Sequence, residues 1–600
     1  MGGTATWARA AAGQEAMDNA SLAAAFEEIA TLKELQGEDG FRSQAFRNTA
    51  RRLETLTQSA AELFRAGTIK DAVSSLGKTQ LEVIGQLVAG EPCPTLDDLR
   101  ARTPPGHLEM LRIPGVGPKK VRALHLELGI TTLPELAAAC EAGRVAAIKG
   151  FGAKTSEKIL QGIAFVTTSG RRVRLDQALE LAASLIGRVR AVPGVGRAEL
   201  AGSLRRRRET VKDIDIVATA DDPAALIAAF VSGPGVKSIV GQGDTKASVV
   251  LEAESSAGRL SLGGKLGINA DLRVVAPGQF PFALNYFTGS KEHNVVLRQR
   301  AIDRGWRLNE YELAGCDAPI AHEADIYRAL GLAYVEPELR EGTGEDAAAE
   351  AGSLPELVNA ADIRGVFHNH TTASDGADTL EAMALAARDL GLEYLGIGDH
   401  SQSLTVANGL TPDRVRAQWR EIDALNARLK GVTVLKGTEC DILPDGSLDF
   451  DDDLLAGFDY VVASVHTHFG QTREEMTARI CRALAHPRVT MLGHATGRLL
   501  LRRDAYAVDL EAVIQAAARH GKMIEINANP MRLDLDWVHC RRARELGVPL
   551  VINPDAHSRE ELAYFTHGVN VARRAWLSKG HVYNTRPLQS VLADLQARRG

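Results

Sequence analysis

The chain has 600 residues, 70 of them Lys or Arg and 76 Asp or Glu, for a formal net charge of −6. Such a length suits roughly four domains, and the slight acidity excludes a protein that holds nucleic acid by bulk charge alone, unless acidic residues are gathered into metal sites. The six cysteines are scattered without a C-x-x-C, no apolar run reaches membrane-spanning length, and the amino terminus lacks a basic stretch ahead of an apolar one; these features exclude a disulfide scaffold and a membrane partner and predict a cytoplasmic protein.

Residues 1–17 read as a loose extension, with Met17 as an alternative start. Leu22, Phe26, Ile29, Leu32 and Leu35 then recur at helical spacing. Helical patterns with glycine punctuation continue to about Ile163. Within them, Ile113-Pro114-Gly115-Val116-Gly117-Pro118-Lys119-Lys120 reads as a tight glycine turn entering a helix. Turns of this kind aim backbone N–H groups at a DNA phosphate and read no bases. The DNA contacts expected here are Gly115, Gly117, Lys119 and Lys120. A weaker copy, Lys149–Lys154, offers Gly150, Gly152 and Lys154, and Ser74–Lys78 is a third, degraded one. A plain inter-helix turn is the competing reading of each.

From about Arg174 the pattern becomes α+β, with β-rich runs at Ile214–Thr219, Ala247–Leu251 and Leu272–Val275. Gly202-Ser203-Leu204-Arg205-Arg206 precedes Asp213-Ile214-Asp215. Carboxylates at i and i+2 on a strand share a face, and the Gly-Ser turn offers N–H groups and a hydroxyl to a phosphate. With Asp271 on another strand, three carboxylates suit a two-metal site for phosphoryl or nucleotidyl transfer. In the run Arg205–Arg208, Arg206 suits forked phosphate binding, whereas Arg207 and Arg208 read as a solvated face. Residues 341–353 are small, polar and acidic, as in a linker.

Beyond this stretch seven apolar runs alternate with helical ones: Ile363–Phe367, Tyr394–Ile397, Val432–Leu435, Tyr460–Val465, Val489–Leu492, Met523–Ile526 and Leu550–Ile552. The alternation predicts a parallel sheet closed, or nearly closed, into a barrel. Six runs end at or near a His, Asp or Glu, where barrel chemistry sits. Twelve of the sixteen histidines lie after residue 340. Imidazoles and carboxylates converging on one barrel mouth suit borderline metals.

Over about residues 18–342 the chain resembles the family X DNA polymerases. The marks are Gly202-Ser203, Asp213-x-Asp215, Asp271-Leu272-Arg273, Tyr286-Phe287-Thr288-Gly289-Ser290, Asn294 and Arg298, together with the hairpins. The resemblance implies that Asp213 and Asp215 bind two metals (Mg2+ or Mn2+) and that Asp271 binds the catalytic one and helps activate the primer 3′-hydroxyl. It implies that Gly202, Ser203 and Arg206 hold the triphosphate, that Tyr286, Phe287 and Gly289 line the sugar, and that Asn294 and Arg298 touch the incoming base and the template side. The chain departs from the pattern at Lys212 and Arg207, where glycines are common, and at Val83, where members with sugar-phosphate lyase activity carry a lysine.

Over about residues 356–595 it resembles the PHP (polymerase and histidinol phosphatase) family, a distorted (β/α)7 barrel. Nine ligands for a three-metal cluster (Mn2+, Zn2+ or Fe) carry over: His368, His370, Asp375, His400, Glu439, His466, His494, Asp555 and His557. Val366 replaces an acidic residue often found before the first histidine. Asp399, Asp441 and His468 lie nearby, and Arg498 suits a phosphate contact.

The expected architecture is multidomain: an extension (1–17), a helical lyase-like domain (18–95), a helix-hairpin-helix domain (96–170), an α+β nucleotidyltransferase palm (171–285), a thumb (286–342), a linker (343–355) and a C-terminal (β/α)7 PHP barrel (356–600). The expected function is gap-filling, DNA-directed synthesis in base excision repair by a monomer using gapped or primed DNA and deoxynucleoside triphosphates, with 3′→5′ exonuclease and 3′-phosphatase activity. A non-templated nucleotidyltransferase and a DNA-end scaffold with one inactive half are the alternatives. A free-standing small-molecule phosphatase is a third reading of the PHP half.

Overall fold

The computed structural model describes residues 19–599 apart from 39, 57, 74–75, 112, 114–115, 170–171 and 255–264. The extension, Met17 and the hairpin glycine Gly115 lie outside the described residues.

The chain opens with α1 (Asn19–Gln36) packed on α2 (Gly40–Thr55). The apolar stripe read from the sequence is buried here: Leu22, Phe26, Ile29, Leu32 and Leu35 enter one core that runs on through the helical region to Ile163. That core includes Val83 on α3 (Lys78–Val88), a buried position with no amine to offer. Gly117 caps α4 (Pro118–Leu128) and α5 runs from Gly152 to Ser169.

The palm is a five-stranded sheet. Its strands are β1 (Val195–Leu200), β2 (Asp213–Ala220), β3 (Val236–Gln242), β4 (Lys246–Glu254) and β5 (Lys265–Val274), in the order β1-β2-β5-β4-β3. Only β2 and β5 pair in parallel. Ile214 and Ile216 on β2 enter the palm core, leaving Asp213 and Asp215 on the opposite, partly open face. Sequence periodicity missed β1 and β3, whose residues are mostly exposed and so carry no apolar alternation. It also started β5 too late, placing Asp271 at a strand entrance instead of inside the strand.

After the palm come α6 (Phe280–Thr288) and α7 (Lys291–Ile302), the latter capped by the Ser290 hydroxyl accepting from His293 N–H at 3.2 Å. The linker expectation fails at its centre. Residues Glu345–Glu350 form a helix, α8, and Glu345 is buried, accepting from Gly342 and Thr343 N–H and paired with His293 Nδ1 at 2.8 Å. Ala349, Leu354 and Leu357 pack in the thumb core, which Trp576 from the chain's far end also enters. Small and acidic composition fits an exposed tether and a helix N-terminus equally well, because acids favour the first turn.

The C-terminal sheet has seven strands, all parallel and in chain order: β6 (Gly365–Val366), β7 (Tyr394–Ile397), β8 (Thr433–Asp441), β9 (Tyr460–Ser464), β10 (Met491–Leu492), β11 (Met523–Asn527) and β12 (Leu550–Asn553). The two ends meet just past β6 and β12, where His370 N–H donates to the Ala556 carbonyl at 2.8 Å and a parallel bridge joins Asn369 to Ala556. The barrel is nearly closed, as the alternation predicted. Phe367, Tyr394, Leu435, Tyr460, Met491, Met523 and Val551 form one buried cluster, while residues alternating with them pack against the outer helices. The helix α9 (Phe565–Arg574) covers β11 and β12. No helix among the described residues is long and apolar enough to cross a membrane.

Candidate active sites

Parallel pairing of β2 with β5 sets Asp215 directly opposite Asp271 and Asp213 opposite Asn269. The three carboxylates therefore face one another from neighbouring strands. Burial and the Asp271 charge raise the Asp213 carboxyl above its usual range; burial, then Asp213 and Asp271, push Asp215 up to about 7. Mutual repulsion of this kind marks a site made for cations. Gly202 has φ +63°, and a Cβ there would lie 2.0 Å from Asp215 Oδ2, so the turn touches the carboxylate only because the residue is glycine. Ala201 N–H donates to the Asp215 carbonyl at 2.8 Å and ties the turn to β2.

Arg206 is buried beside this site, and its charge acts on both Asp213 and Asp215. Its guanidinium is partly engaged, donating to Glu341 Oε1 at 3.2 Å and to the Thr288 carbonyl at 2.5 Å. The solvated face expected for Arg207 and Arg208 is not found. Both are half-buried, and Arg208 Nη1 lies 3.5 Å from Glu341 Oε2. Packing of the C-terminal domain against this turn covers what the local sequence left as a charged surface.

Tyr286 and Phe287 meet edge to face, with ring centroids 5.2 Å apart, and Arg273 stacks over the Phe287 ring at 4.4 Å. A cavity of about 230 Å³ is lined by Asp215, Asp271, Lys246, Arg273 and Phe287. Asn294 spends a side-chain N–H on the Tyr286 carbonyl at 2.8 Å, and Arg298 donates to the Asn294 carbonyl at 3.3 Å. The first bond ties α7 back to the turn after Tyr286, and the second stays within α7. Ser248 donates to Asp271; it sits opposite that residue on β4, within a run read only as apolar. Lys246 and Ser248 escaped sequence reasoning because sheet register, not spacing, brings them to the carboxylates.

At the hairpins, Gly117, Lys119, Gly150, Gly152 and Lys154 are exposed and Lys120 is half-buried. Gly117 and Gly152 stand at the starts of α4 and α5, the ends at which a helix carries its positive dipole.

The nine candidate ligands of the barrel converge. Glu439 ends near four imidazoles: His494 Nε2 at 2.8 Å, His400 Nδ1 at 2.9 Å, His368 Nε2 at 3.1 Å and His466 Nε2 at 3.2 Å. Asp555 Oδ1 lies 3.2 Å from His370 Nε2, and Asp375 bridges toward His557 at 3.4 Å and His400 at 3.6 Å. Among the described residues three groups bring their donor atoms within 4.8 Å: His370, Asp375, His400 and His557; His368, His370 and Asp555; and His400, Glu439 and His466.

The donor set also passes a test for metal. Among the described residues, His368 Nε2, both nitrogens of His370, His400 Nδ1 and His494 Nδ1 are buried and make no aligned hydrogen bond, even where a carboxylate oxygen lies close. Leaving such an atom unsatisfied costs about 1–3 kcal/mol, so several in one place fit groups that hold cations. Burial would raise the Glu439 carboxyl, but His368, His466 and His400 hold it well below the usual range. Burial and the neighbouring His557 and His400 push His370 down to about 4, toward a neutral imidazole, whereas the carboxylates overcome burial and raise His368, His400, His466 and His557, which would give up a proton to a bound cation.

Around the nine lies a shell that orients them. Glu525 accepts from His368 Nδ1 at 2.6 Å and from His494 N–H at 3.0 Å, and Asp441 accepts from His466 Nδ1. Asp399 holds the loop after β6 through Thr371 N–H at 2.8 Å. His468 is exposed, and its ring bonds the Thr467 hydroxyl at 3.1 Å. Arg498 is not placed for phosphate: it donates to the Arg532 carbonyl at 3.0 Å and to the Leu533 carbonyl and lies 3.8 Å from Glu209 of the palm. The cation at the cluster is instead Arg532, 3.4 Å from Asp555 Oδ2. Sequence reasoning missed Arg532 and Glu525. An acid within the run Met523–Ile526 was the available signal for Glu525, since a charge inside an apolar strand needs a partner.

Comparison with known proteins agrees with this geometry. The chain matches family models described as a helix-hairpin-helix domain (residues 17–89), a SAM-like helix-hairpin-helix tandem (108–164), a DNA polymerase beta thumb (283–341) and a PHP domain (367–529). The PHP match stops short of Asp555 and His557, which the last strand brings to the cluster. The chain is 39% identical over 574 residues to the DNA polymerase/3′-5′ exonuclease PolX of Bacillus subtilis (strain 168), covering 95% of this chain and 98% of that protein. It is 30% identical over 207 residues to a probable phosphatase of Acetivibrio thermocellus (33% of this chain, 81% of that one). A probable phosphatase of Thermoanaerobacter sp. (strain X514) is 28% identical over 229 residues (36% and 89%). With its hairpins, thumb, PHP barrel and near-complete alignment to that polymerase, the chain belongs to the family X DNA polymerases that carry a C-terminal PHP domain.

Proposed function

We propose that this protein is a DNA-directed DNA polymerase that fills short gaps and, through its barrel, trims or dephosphorylates 3′ ends. The observation that carries the reading is the pair of separate sites, each with facing acids and an arginine beside them. Asp213, Asp215 and Asp271 are the residues to hold Mg2+ or Mn2+, which when bound neutralises charge on the attacking and leaving oxygens. Ser203 and the Gly202 turn orient a deoxynucleoside triphosphate, and Arg206, with five N–H donors and two engaged here, retains donors for it. Tyr286 and Phe287 form the wall against the sugar. The hairpin N–H groups, with Lys119, Lys120 and Lys154, hold the DNA backbone without reading sequence.

In the barrel the nine residues are the set to hold up to three ions (Mn2+, Zn2+ or Fe). Arg532 is the group to meet the phosphate, while Glu525 and Asp441 fix the tautomers of His368 and His466. The test uses one preparation, primed gapped DNA and 3′-phosphorylated DNA. Asp215→Ala is expected to abolish template-dependent extension and spare 3′ hydrolysis; His368→Ala is expected to do the reverse. Extension that ignores the template base, or two variants that change neither activity, would defeat the reading. Because Val83 is buried and has no amine, little 5′-deoxyribose-phosphate lyase activity is expected from that position, and robust borohydride trapping within residues 18–95 would overturn this.

A further inference from the structure

Arg574 ends α9 on the barrel, yet the hydrogen bonds of its guanidinium go to the polymerase half. It is 1% exposed. Its Nη1 donates to the carbonyl of Arg206 at 2.9 Å and to Glu341 Oε1 at 3.0 Å. The same Glu341 oxygen accepts from Arg206 Nε, and the Arg206 Nη1 group continues to the Thr288 carbonyl at the end of α6. Gly289 follows with φ +67°, and a Cβ there would stand 3.1 Å from Arg206 Nη1. A continuous path of charge-assisted bonds therefore joins the barrel to the Gly202–Arg206 turn and on to the Tyr286–Gly289 turn.

Arg206 needs such a frame. A guanidinium on a long side chain has many rotamers, and it binds a triphosphate well only when its fork is held in one direction. Glu341 supplies that hold, but a buried carboxylate stays ionised only while it is compensated, and Arg206, Arg574 and Arg208 together keep it so. Arg574 also fixes the main chain at Arg206, from which the guanidinium projects. On the barrel side, its guanidinium lies over the Trp537 ring at 5.1 Å.

We propose that Arg574 is a positioning residue for nucleotide binding, supplied to the polymerase site by the metallo-phosphoesterase domain through Glu341 and Arg206. The inference rests on the reading that the Gly202–Arg206 turn holds the triphosphate. It makes the barrel a structural part of the polymerase and not merely a neighbour on the same chain. Removing Arg574 leaves Asp213, Asp215 and Asp271 on their strands, so the effect falls on nucleotide binding and not on the chemical step.

The test measures single-nucleotide gap filling and 3′-phosphate hydrolysis with the full chain. Arg574→Gln is expected to raise the KM for the nucleotide by about tenfold with kcat held within about twofold. Arg574→Lys, which keeps a cationic donor, is expected to recover most of that loss. Hydrolysis by the barrel is expected to stay at the level of the unmodified protein in both. Glu341→Gln is the second route to the same KM effect should Arg574→Gln fold poorly. Ser203→Ala separates the two ideas. If Ser203→Ala raises KM but Arg574→Gln and Glu341→Gln leave it unchanged, the positioning role falls and the triphosphate reading stands. If Ser203→Ala also leaves KM unchanged, the triphosphate reading falls, and this inference with it. Parallel loss of both activities in Arg574→Gln, without rescue by lysine, would reduce the residue to a packing contact and overturn the proposal.

Discussion

Single side chains here act through the company they keep. Glu525 touches no substrate in the proposed reaction, yet it accepts from His368 Nδ1 and from the backbone of His494 and thereby sets two of the nine candidate ligands. It also accepts a hydrogen bond from Asn553 Nδ2 at 2.8 Å, which binds it to the last strand. Replacing it with glutamine would keep the shape but exchange a fixed acceptor for an amide whose donor end opposes His368. Partners of metal-ligating histidines are commonly worth about 10–100-fold in activity or metal affinity. Glu525→Gln is therefore expected to lower 3′-end hydrolysis by that order while gap filling is retained, measured on the two substrates side by side. An unchanged hydrolysis rate would remove Glu525 from the orienting shell. The nine candidate ligands could be named because acids and imidazoles cluster at or just past apolar runs and the resemblance to the PHP family picks out these nine among them. Glu525, Arg532 and Ser248 could not be, because their importance comes from strands adjacent in space and distant in sequence.

At the scale of elements, alternation and length sufficed where both faces of a strand are buried. All residues of β7, β9 and β11 are buried, and their apolar runs were found within a residue or so of their true ends. Where a strand is exposed, as in β1 and β3, the signal vanishes. The segment around α8 failed in another way. Its one decisive contact joins Glu345 to His293, which lies 52 positions earlier. His293 is itself sealed between Glu345 and the Tyr327 hydroxyl at 2.8 Å. Burial lowers the His293 imidazole, so it meets Glu345 as a neutral hydrogen-bonding ring, and removing the carboxylate leaves a buried nitrogen unpaired at a cost of about 1–3 kcal/mol. Glu345→Ala is thus expected to destabilise the thumb by several times the effect of Glu350→Ala, whose partner Arg300 it meets at an exposed end of the same helix. Urea titration followed by tryptophan fluorescence checks this, since Trp306 and Trp576 sit in the thumb core. Equal effects at the two positions would return the segment to the status of a tether.

The whole molecule is joined at buried carboxylates shared between domains, and this makes its stability depend on acid in a defined way. Glu323 binds Arg205 of the palm turn and Arg340 of the thumb at 2.6 and 2.7 Å. Glu341 joins Arg206, Arg208 and the barrel's Arg574. Burial alone would raise both carboxyls, but the surrounding guanidinium charges overcome it and hold each at about 2. In the unfolded chain a glutamate titrates near 4.3. The folded form binds protons less readily, so stability is complete above that value and is lost as pH falls through the interval from roughly 5 to 2. A separation of about two units corresponds to roughly 3 kcal/mol for each group, felt where palm, thumb and barrel meet. Glutamine at either position titrates nothing. Glu341→Gln is therefore expected to be less stable than the unmodified protein at pH 7 and to show a flatter decline between pH 5 and pH 2.5. Glu323→Gln behaves alike, and the double variant flattens the limb further. Unfolding free energies taken at half-unit pH steps measure the slope. Coincident slopes for all four proteins would mean that the domains are joined by contacts other than these ion pairs.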